Sequence, residues 1–169
     1  DIYENLIYDD NHFYSFASVN SKVKEKTVVV NGFSKTYSMT GWRIGYAAGP
    51  EEIINAMNKI QSHSTSNASS ISQAAALEAL TGPQSSIQIM RQEFEQRRNF
   101  IYEQLVSIKD ITSFKPKGAF YLFPNVKKYF GKSTSVFNIK DSFDLAMYLL
   151  HYAKVATVPG SAFGSEGHL

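Results

Sequence analysis

Apolar and polar positions change rhythm several times along the chain, and each change predicts an element. Thr27-Val28-Val29-Val30 is an unbroken β-branched run closed by Asn31-Gly32. Such a run predicts a strand buried on both faces, as in a parallel sheet. A polar stretch from Ser34 to Gly41 follows, and Arg43 to Ala48 predicts a second strand that stops at Gly49-Pro50. Proline fits a first helical turn and acids suit its positive end, so Pro50-Glu51-Glu52 predicts a helix start. Ile53, Met57 and Ile60 then share one face at i, i+4 and i+7. Ser64 to Ser70 reads as a Ser/Thr/Asn loop, and an Ala-rich helix from about Ser72 to Leu80 stops at Thr81-Gly82-Pro83.

The longest helical pattern comes next. Ile87, Met90, Phe94, Ile101, Leu105 and Ile108 recur at spacings of 3, 4, 7, 4 and 3, with Arg97 and Arg98 predicted to face outward. Beyond it the character changes: Phe114-Lys115-Pro116 and Ala119 to Phe123 predict strands, Asp141 caps a helix carrying Leu145, Leu149 and Ala153, and Val155 to Val158 predicts a last strand. The expected organisation is α/β, with residues 1–83 forming part of a large α/β domain. Residues 84–169 then form an inter-domain helix and part of a smaller α+β domain. Repeats and low-complexity tracts are absent.

Composition narrows the function classes. The chain has 169 residues, 43% of them hydrophobic, which is enough to bury a core. Seventeen Lys and Arg against 15 Asp and Glu leave a net charge of +2, and the densest basic cluster (Lys22, Lys24, Lys26) is interrupted by Glu25. That is a solvated face and no nucleic-acid footprint. With no cysteine, disulfides, thiolate metal sites and cysteine nucleophiles are excluded. No apolar run approaches the roughly 20 residues that span a bilayer. The four histidines (His12, His63, His151, His168) lack metal-ligand spacing and read as surface or loop residues.

Candidate chemistry is concentrated in Gly32-Phe33-Ser34-Lys35-Thr36-Tyr37-Ser38-Met39-Thr40-Gly41-Trp42-Arg43-Ile44-Gly45. One lysine sits among small and hydroxylated residues between two predicted strands, with the single Trp and an Arg close behind. Partial burial disfavours the charged form of an amine, and an uncharged amine is what Schiff-base chemistry with a carbonyl requires. Hydroxyls and an arginine nearby suit a phosphate, to which a guanidinium gives two parallel bonds. An ordinary loop lysine with no chemical role is the competing reading of the same residues.

This segment resembles the lysine signature of class I pyridoxal-phosphate aminotransferases, in its Ser-Lys-x-Tyr-x-Met-Thr-Gly-Trp-Arg-Ile-Gly-Tyr form similar to bacterial aspartate and aspartate/prephenate aminotransferases. Asp1-Ile2-Tyr3-Glu4 with Leu6 and Tyr8-Asp9, Pro116-Lys117-Gly118-Ala119-Phe120-Tyr121, and Val158-Pro159-Gly160-Ser161-Ala162-Phe163-Gly164 resemble three further segments of that family in the same order. The resemblance implies a fold type I α/β fragment: part of the large domain's mixed or parallel sheet plus an α+β small domain. It further implies pyridoxal 5′-phosphate as cofactor, with Lys35 forming the Schiff base and serving as general base. Arg43 and Ser34 are implied at the cofactor phosphate, and Tyr3 as hydrogen-bond donor to its 3′-oxygen. Ser66 and Asn67 match a loop that approaches the partner subunit's cofactor site. No metal site is implied.

On the same resemblance the intact protein is expected to be a cytoplasmic homodimer. It is expected to move an amino group between L-aspartate and 2-oxoglutarate, with prephenate as an alternative acceptor. A non-catalytic α/β binding module of this fold and a pyridoxal-phosphate lyase are the alternatives, since fold does not fix function. Both ends read as cut. The family's pyridine carboxylate falls one residue before Asp1, and its substrate-carboxylate arginine directly after Leu169, so this stretch alone is expected not to turn over. An exposed apolar surface is expected where the rest of the large domain belongs.

Overall fold

A computed structural model describes all 169 residues. Helix α1 (Ser21–Lys24) precedes strands β1 (Val29–Gly32) and β2 (Gly45–Ala48), then α2 (Glu51–Ser64), α3 (Ser70–Thr81), α4 (Ser85–Ser107) and α5 (Ser142–Tyr148). The chain divides into two compact units, residues 1–94 with 117–119, and residues 95–116 with 120–169.

In the first unit β1 and β2 pair antiparallel, in the register Val29↔Ala48, Val30↔Ala47, Asn31↔Tyr46 and Gly32↔Gly45. This corrects the parallel setting predicted from the β-branched run. The strand also starts two residues later, and Val30 is exposed rather than buried. A four-residue ribbon has two faces, and here only its Asn31-Gly32 end is covered. Behind that end Phe33, Met39 and Ala76 form a core, joined by Tyr37, Ile44, Ala75 and Ala79. Leu6 and Tyr8 are fully buried, and the segment they belong to holds residues 117–119 by backbone bonds from Tyr8 N to Lys117 O (2.9 Å) and from Ala119 N to Leu6 O (2.8 Å). The Tyr8 hydroxyl adds a bond to Ala119 O.

Helices α2 and α3 begin and end as their punctuation predicts, with Pro50 at the cap of α2 and Gly82 closing α3. The predicted core face of α2, however, lies in solvent: Ile53, Met57 and Ile60 are all exposed. An amphipathic stripe specifies that a helix needs an apolar neighbour, without specifying where that neighbour comes from.

In the second unit Val126, Ile139 and Leu145 form the core, with Phe137, Tyr148, Leu149 and Leu169 packed against them. Three predicted strands are absent. Residues 114–116, 119–123 and 155–158 form no ladder, and Phe114 is 95% exposed. β-branched and aromatic residues mark extended backbone, but a strand also needs a partner, and here only isolated bridges such as Thr112↔Asn125 and Asn125↔His168 form. Arg98 is a second correction. It does not face outward with Arg97 but is 4% exposed, donating from Nη1 to Pro116 O and pairing through Nη2 with Glu95 at 3.4 Å.

The cap of α5 is as predicted and more elaborate. Asp141 Oδ1 accepts from Asp144 N at 2.8 Å, while Asp144 Oδ2 accepts from Lys140 N at 3.0 Å. Replacing Asp141 with alanine orphans a helical N–H and is expected to cost about 1 kcal/mol in a denaturant melt, with Asp141→Asn retaining most of that.

Candidate active site

The Gly32↔Gly45 pair closes the ribbon, so residues 33–44 leave and re-enter at one point. A Cβ on Gly45 would meet the backbone oxygen of Asn31 at 2.8 Å, so the close approach requires glycine there, whereas one on Gly32 would meet only the tip of Ile2, Cδ1 at 2.9 Å. The loop then winds tightly. Phe33 O accepts from both Tyr37 N (3.2 Å) and Met39 N (3.3 Å), and Lys35 O accepts from Ser38 N at 3.3 Å. Ser34 and Lys35 ride on this turn, each half-buried.

The loop's second half is a single 3₁₀ turn over Thr40–Trp42, followed by Arg43 in the left-handed region at φ 52, ψ 50. Ser38 is left-handed as well, at φ 53. Non-glycine residues adopt this region at a cost, which the surrounding structure must cover. Part of that cover is visible. Ser72, buried on α3, donates its hydroxyl to Trp42 O at 2.9 Å, and Arg43 Nη1 donates to Thr40 O at 2.9 Å. The rest of the guanidinium is exposed to solvent.

Tyr3 lies in the turn that Glu4 N→Asp1 O (3.1 Å) and Leu6 N→Tyr3 O (2.8 Å) close. Its neighbours on both sides are fastened to the end of β1: Ile2 packs on Gly32, and Glu4 Oε1 accepts from Asn31 Nδ2 at 2.7 Å. Tyr3, Ser34, Lys35 and Arg43 are therefore gathered at one end of the ribbon. Ser66 and Asn67 stay in an exposed loop, Ser66 left-handed at φ 63 and Asn67 donating to Ala68 O. His168 stacks on Phe123 at 4.7 Å and meets Ser165 Oγ through Nδ1 at 2.8 Å, and no metal-binding cluster exists.

Three contributors escape a reading of the sequence. Asn31 reads there only as a strand terminator, Glu4 only as part of a motif, and Ser72 only as the start of an Ala-rich helix. The one cue is a polar side chain next to a predicted core run. Two features of the loop's buried side are also new: the Thr36 hydroxyl is buried without a hydrogen-bond partner, and a cavity of about 510 Å³ opens between Tyr37, Met39, Trp42, Ala79, Ile87 and Met90.

Burial pushes the Tyr37 phenol above its ordinary value of 10.0, helped by the charges of Glu4 and Tyr46. A raised phenol pKa means that the folded state keeps a proton that the unfolded chain loses near pH 10, so stability falls as pH climbs past that point. In a spectrophotometric titration Tyr37 is expected to ionise above the ordinary tyrosine range, and Tyr37→Phe is expected to remove one phase there. Loss of a different phase would refute the assignment.

The donor set suits a phosphorylated aldehyde: a half-buried amine, a neighbouring hydroxyl and an exposed guanidinium on one loop, with a tyrosine in the turn that Glu4 fastens to the end of β1. Residues 1–169 match the family described as aminotransferase class I and II, and the chain belongs to that family. It is 50% identical over 169 residues to the aspartate aminotransferase of Geobacillus stearothermophilus, covering 100% of this chain and 42% of that one. It is also 50% identical to a Rickettsia felis protein named "Probable aspartate/prephenate aminotransferase", covering 99% and 41%. Among solved structures, the aspartate aminotransferase of Rhizobium meliloti superposes with a TM-score of 0.94 at 45% identity, covering 99% of this chain and 42% of its own. An aromatic aminotransferase from Pyrococcus horikoshii follows the same course at a TM-score of 0.88 and 39% identity, covering 99% and 43%. The chain thus spans about 42% of the length of its curated relatives. Its fold is that of an α/β fragment of these enzymes.

Proposed function

We propose that the protein carrying this chain is a pyridoxal-phosphate-dependent aminotransferase. It exchanges an amino group between L-aspartate and 2-oxoglutarate, with prephenate as a second acceptor. The observation that carries this reading is the gathering of Lys35, Ser34, Arg43 and Tyr3 at the glycine end of the ribbon. The aspartate and prephenate assignments come from the names of relatives and are supported by 50% identity.

Bound pyridoxal phosphate supplies the electron sink that stabilises charge at a substrate's α-carbon. Lys35 would supply the amine that holds the cofactor's aldehyde carbon, and its Nζ would take and return the proton at the reacting carbon. Neither role is open to an alcohol or a guanidinium. Arg43 offers a fork of N–H donors to the phosphate, and its left-handed backbone fixes where that fork emerges. Ser34 would add a hydroxyl to the residues holding that phosphate, and the Tyr3 phenol would donate a hydrogen bond to the cofactor's ring oxygen. Water is kept from one side of the amine by the buried face of the turn, where Phe33 and Thr36 lie.

The intact enzyme is read as a cytoplasmic homodimer, with the Ser66-Asn67 loop directed toward the partner's site. No helix here is long and apolar enough to cross a membrane. Aminotransfer is preferred over the lyase and binding-module readings because the matched relatives are named aminotransferases. The test is to incubate the intact protein with pyridoxal phosphate, reduce with borohydride, and map the adduct by mass spectrometry. A single adduct on Lys35, followed by aspartate-dependent conversion of 2-oxoglutarate, supports the proposal. Labelling scattered over Lys22, Lys24 and Lys127 overturns it.

A further inference from the structure

Asn31 is a carboxamide at the end of β1, 7% exposed, with every polar side-chain atom engaged. Its Nδ2 donates to Glu4 Oε1 at 2.7 Å and to the Tyr46 hydroxyl at 3.2 Å, while Oδ1 accepts from Gly32 N at 2.8 Å. One side chain therefore ties three segments: the turn bearing Tyr3, the strand that leads into the Lys35 turn, and β2. Glu4 is the residue after Tyr3, and Gly32 stands three residues before Lys35. The titratable groups around Glu4 are Tyr46 on β2 and Tyr37 on the lysine turn.

We propose that Asn31 and Glu4 form a positioning pair, which sets the Tyr3 phenol and the Lys35 amine relative to each other at the cofactor. The inference rests on the cofactor reading above and deepens it. Its physical basis is directional: an amide can donate to a carboxylate, whereas two carboxylates at this spacing repel and leave no donor between them. The pair needs an amide on at least one side, in either order, because two acids leave no donor between them. That gives a reciprocal test.

The intact holoenzyme is compared with Asn31→Asp, Glu4→Gln and the double variant. Two quantities are read: the rate at which the apo-protein captures pyridoxal phosphate on Lys35, trapped by borohydride, and the pH midpoint of the bound cofactor's visible absorbance. Asn31→Asp is expected to slow capture about tenfold. Its added negative charge is expected to raise the midpoint by about half a unit, because it favours the protonated form of the nitrogen Lys35 contributes. Glu4→Gln keeps an acceptor for Asn31 and is expected to lose less.

In the double variant the new amide at position 4 donates to the new carboxylate at position 31, the net charge returns to that of the wild type, and both readings are expected to recover. Two independent structural lesions would add, not cancel. A wild-type rate and midpoint in Asn31→Asp, or a double variant no faster than Asn31→Asp alone, overturns the pair. If Asn31→Asp does not fold, a folded double variant with the wild-type midpoint supports the pair and an unfolded one overturns it. Scattered capture by the wild type is a different result, which overturns the cofactor reading itself.

Discussion

Replacing Lys35 with alanine in the intact protein is expected to abolish covalent capture of pyridoxal phosphate and to lower aminotransfer by about 10⁴-fold or more. The estimate combines the loss of a nucleophilic amine with the loss of a general base, the second alone contributing about 10²–10⁴. Lys35→Arg is expected to fail as badly, since a guanidinium does not give up its proton in a protein and cannot form the bond. Nearby lysines offer no substitute, because Lys22, Lys24 and Lys26 are exposed on and just after α1, away from the turn that Phe33 O organises. Cofactor should still bind the alanine variant without a covalent link, through Arg43 and Ser34. Its affinity should therefore fall much less than its activity. A Lys35→Ala enzyme retaining more than about a tenth of wild-type turnover would remove Lys35 from the mechanism.

The parts of this fold legible in the sequence are those decided by neighbours along the chain. Pro50-Glu51, Asp141 and Gly82 act on the backbone within one helical turn, and the helices they bound appear where the residues predict. Strands are decided by partners far away. Residues 119–123 and 155–158 carry the right residue types, but neither segment finds a ladder partner, so neither becomes a strand. Arg98 departs from expectation for the same reason. Helical spacing places it on a polar face, but the carbonyl of Pro116, 18 residues on, provides a buried partner.

The site divides along the same line. The lysine loop is legible because its residues are contiguous, and the family match over residues 1–169 agrees with the resemblance read there. Asn31, Glu4 and Ser72 are not legible as site residues. They act through hydrogen bonds to residues 27 and 30 positions away, and no local pattern announces such bonds.

A large effect of a different kind is expected at Gly160. This residue opens the turn that runs to His168, and its backbone donates to His168 O at 2.8 Å and accepts from Ser165 N at 2.9 Å. A Cβ there would sit against the carbonyl oxygens of Ser165 and His168 and only 2.8 Å from the carbonyl carbon of His168. These are backbone atoms, already bonded, with no rotamer to yield. Relief requires the turn to open, and much depends on the turn. Gly167 O accepts from Val126 N at 2.8 Å in the core of the second unit, and Glu166 Oε1 accepts from Ser142 N at 2.6 Å at the start of α5. Gly160→Ala is therefore expected to cost about 3 kcal/mol or more, by overpacking and by the hydrogen bonds that relief sacrifices. Gly164 provides the comparison. It has open space around the Cβ position but a φ of +74, so alanine there meets only backbone strain, about 1 kcal/mol. Thermal melts of the intact protein should rank Gly160→Ala well below Gly164→Ala, and limited proteolysis should cut residues 160–169 first in the former. Equal melting points would mean that backbone conformation, and not close approach, governs this turn.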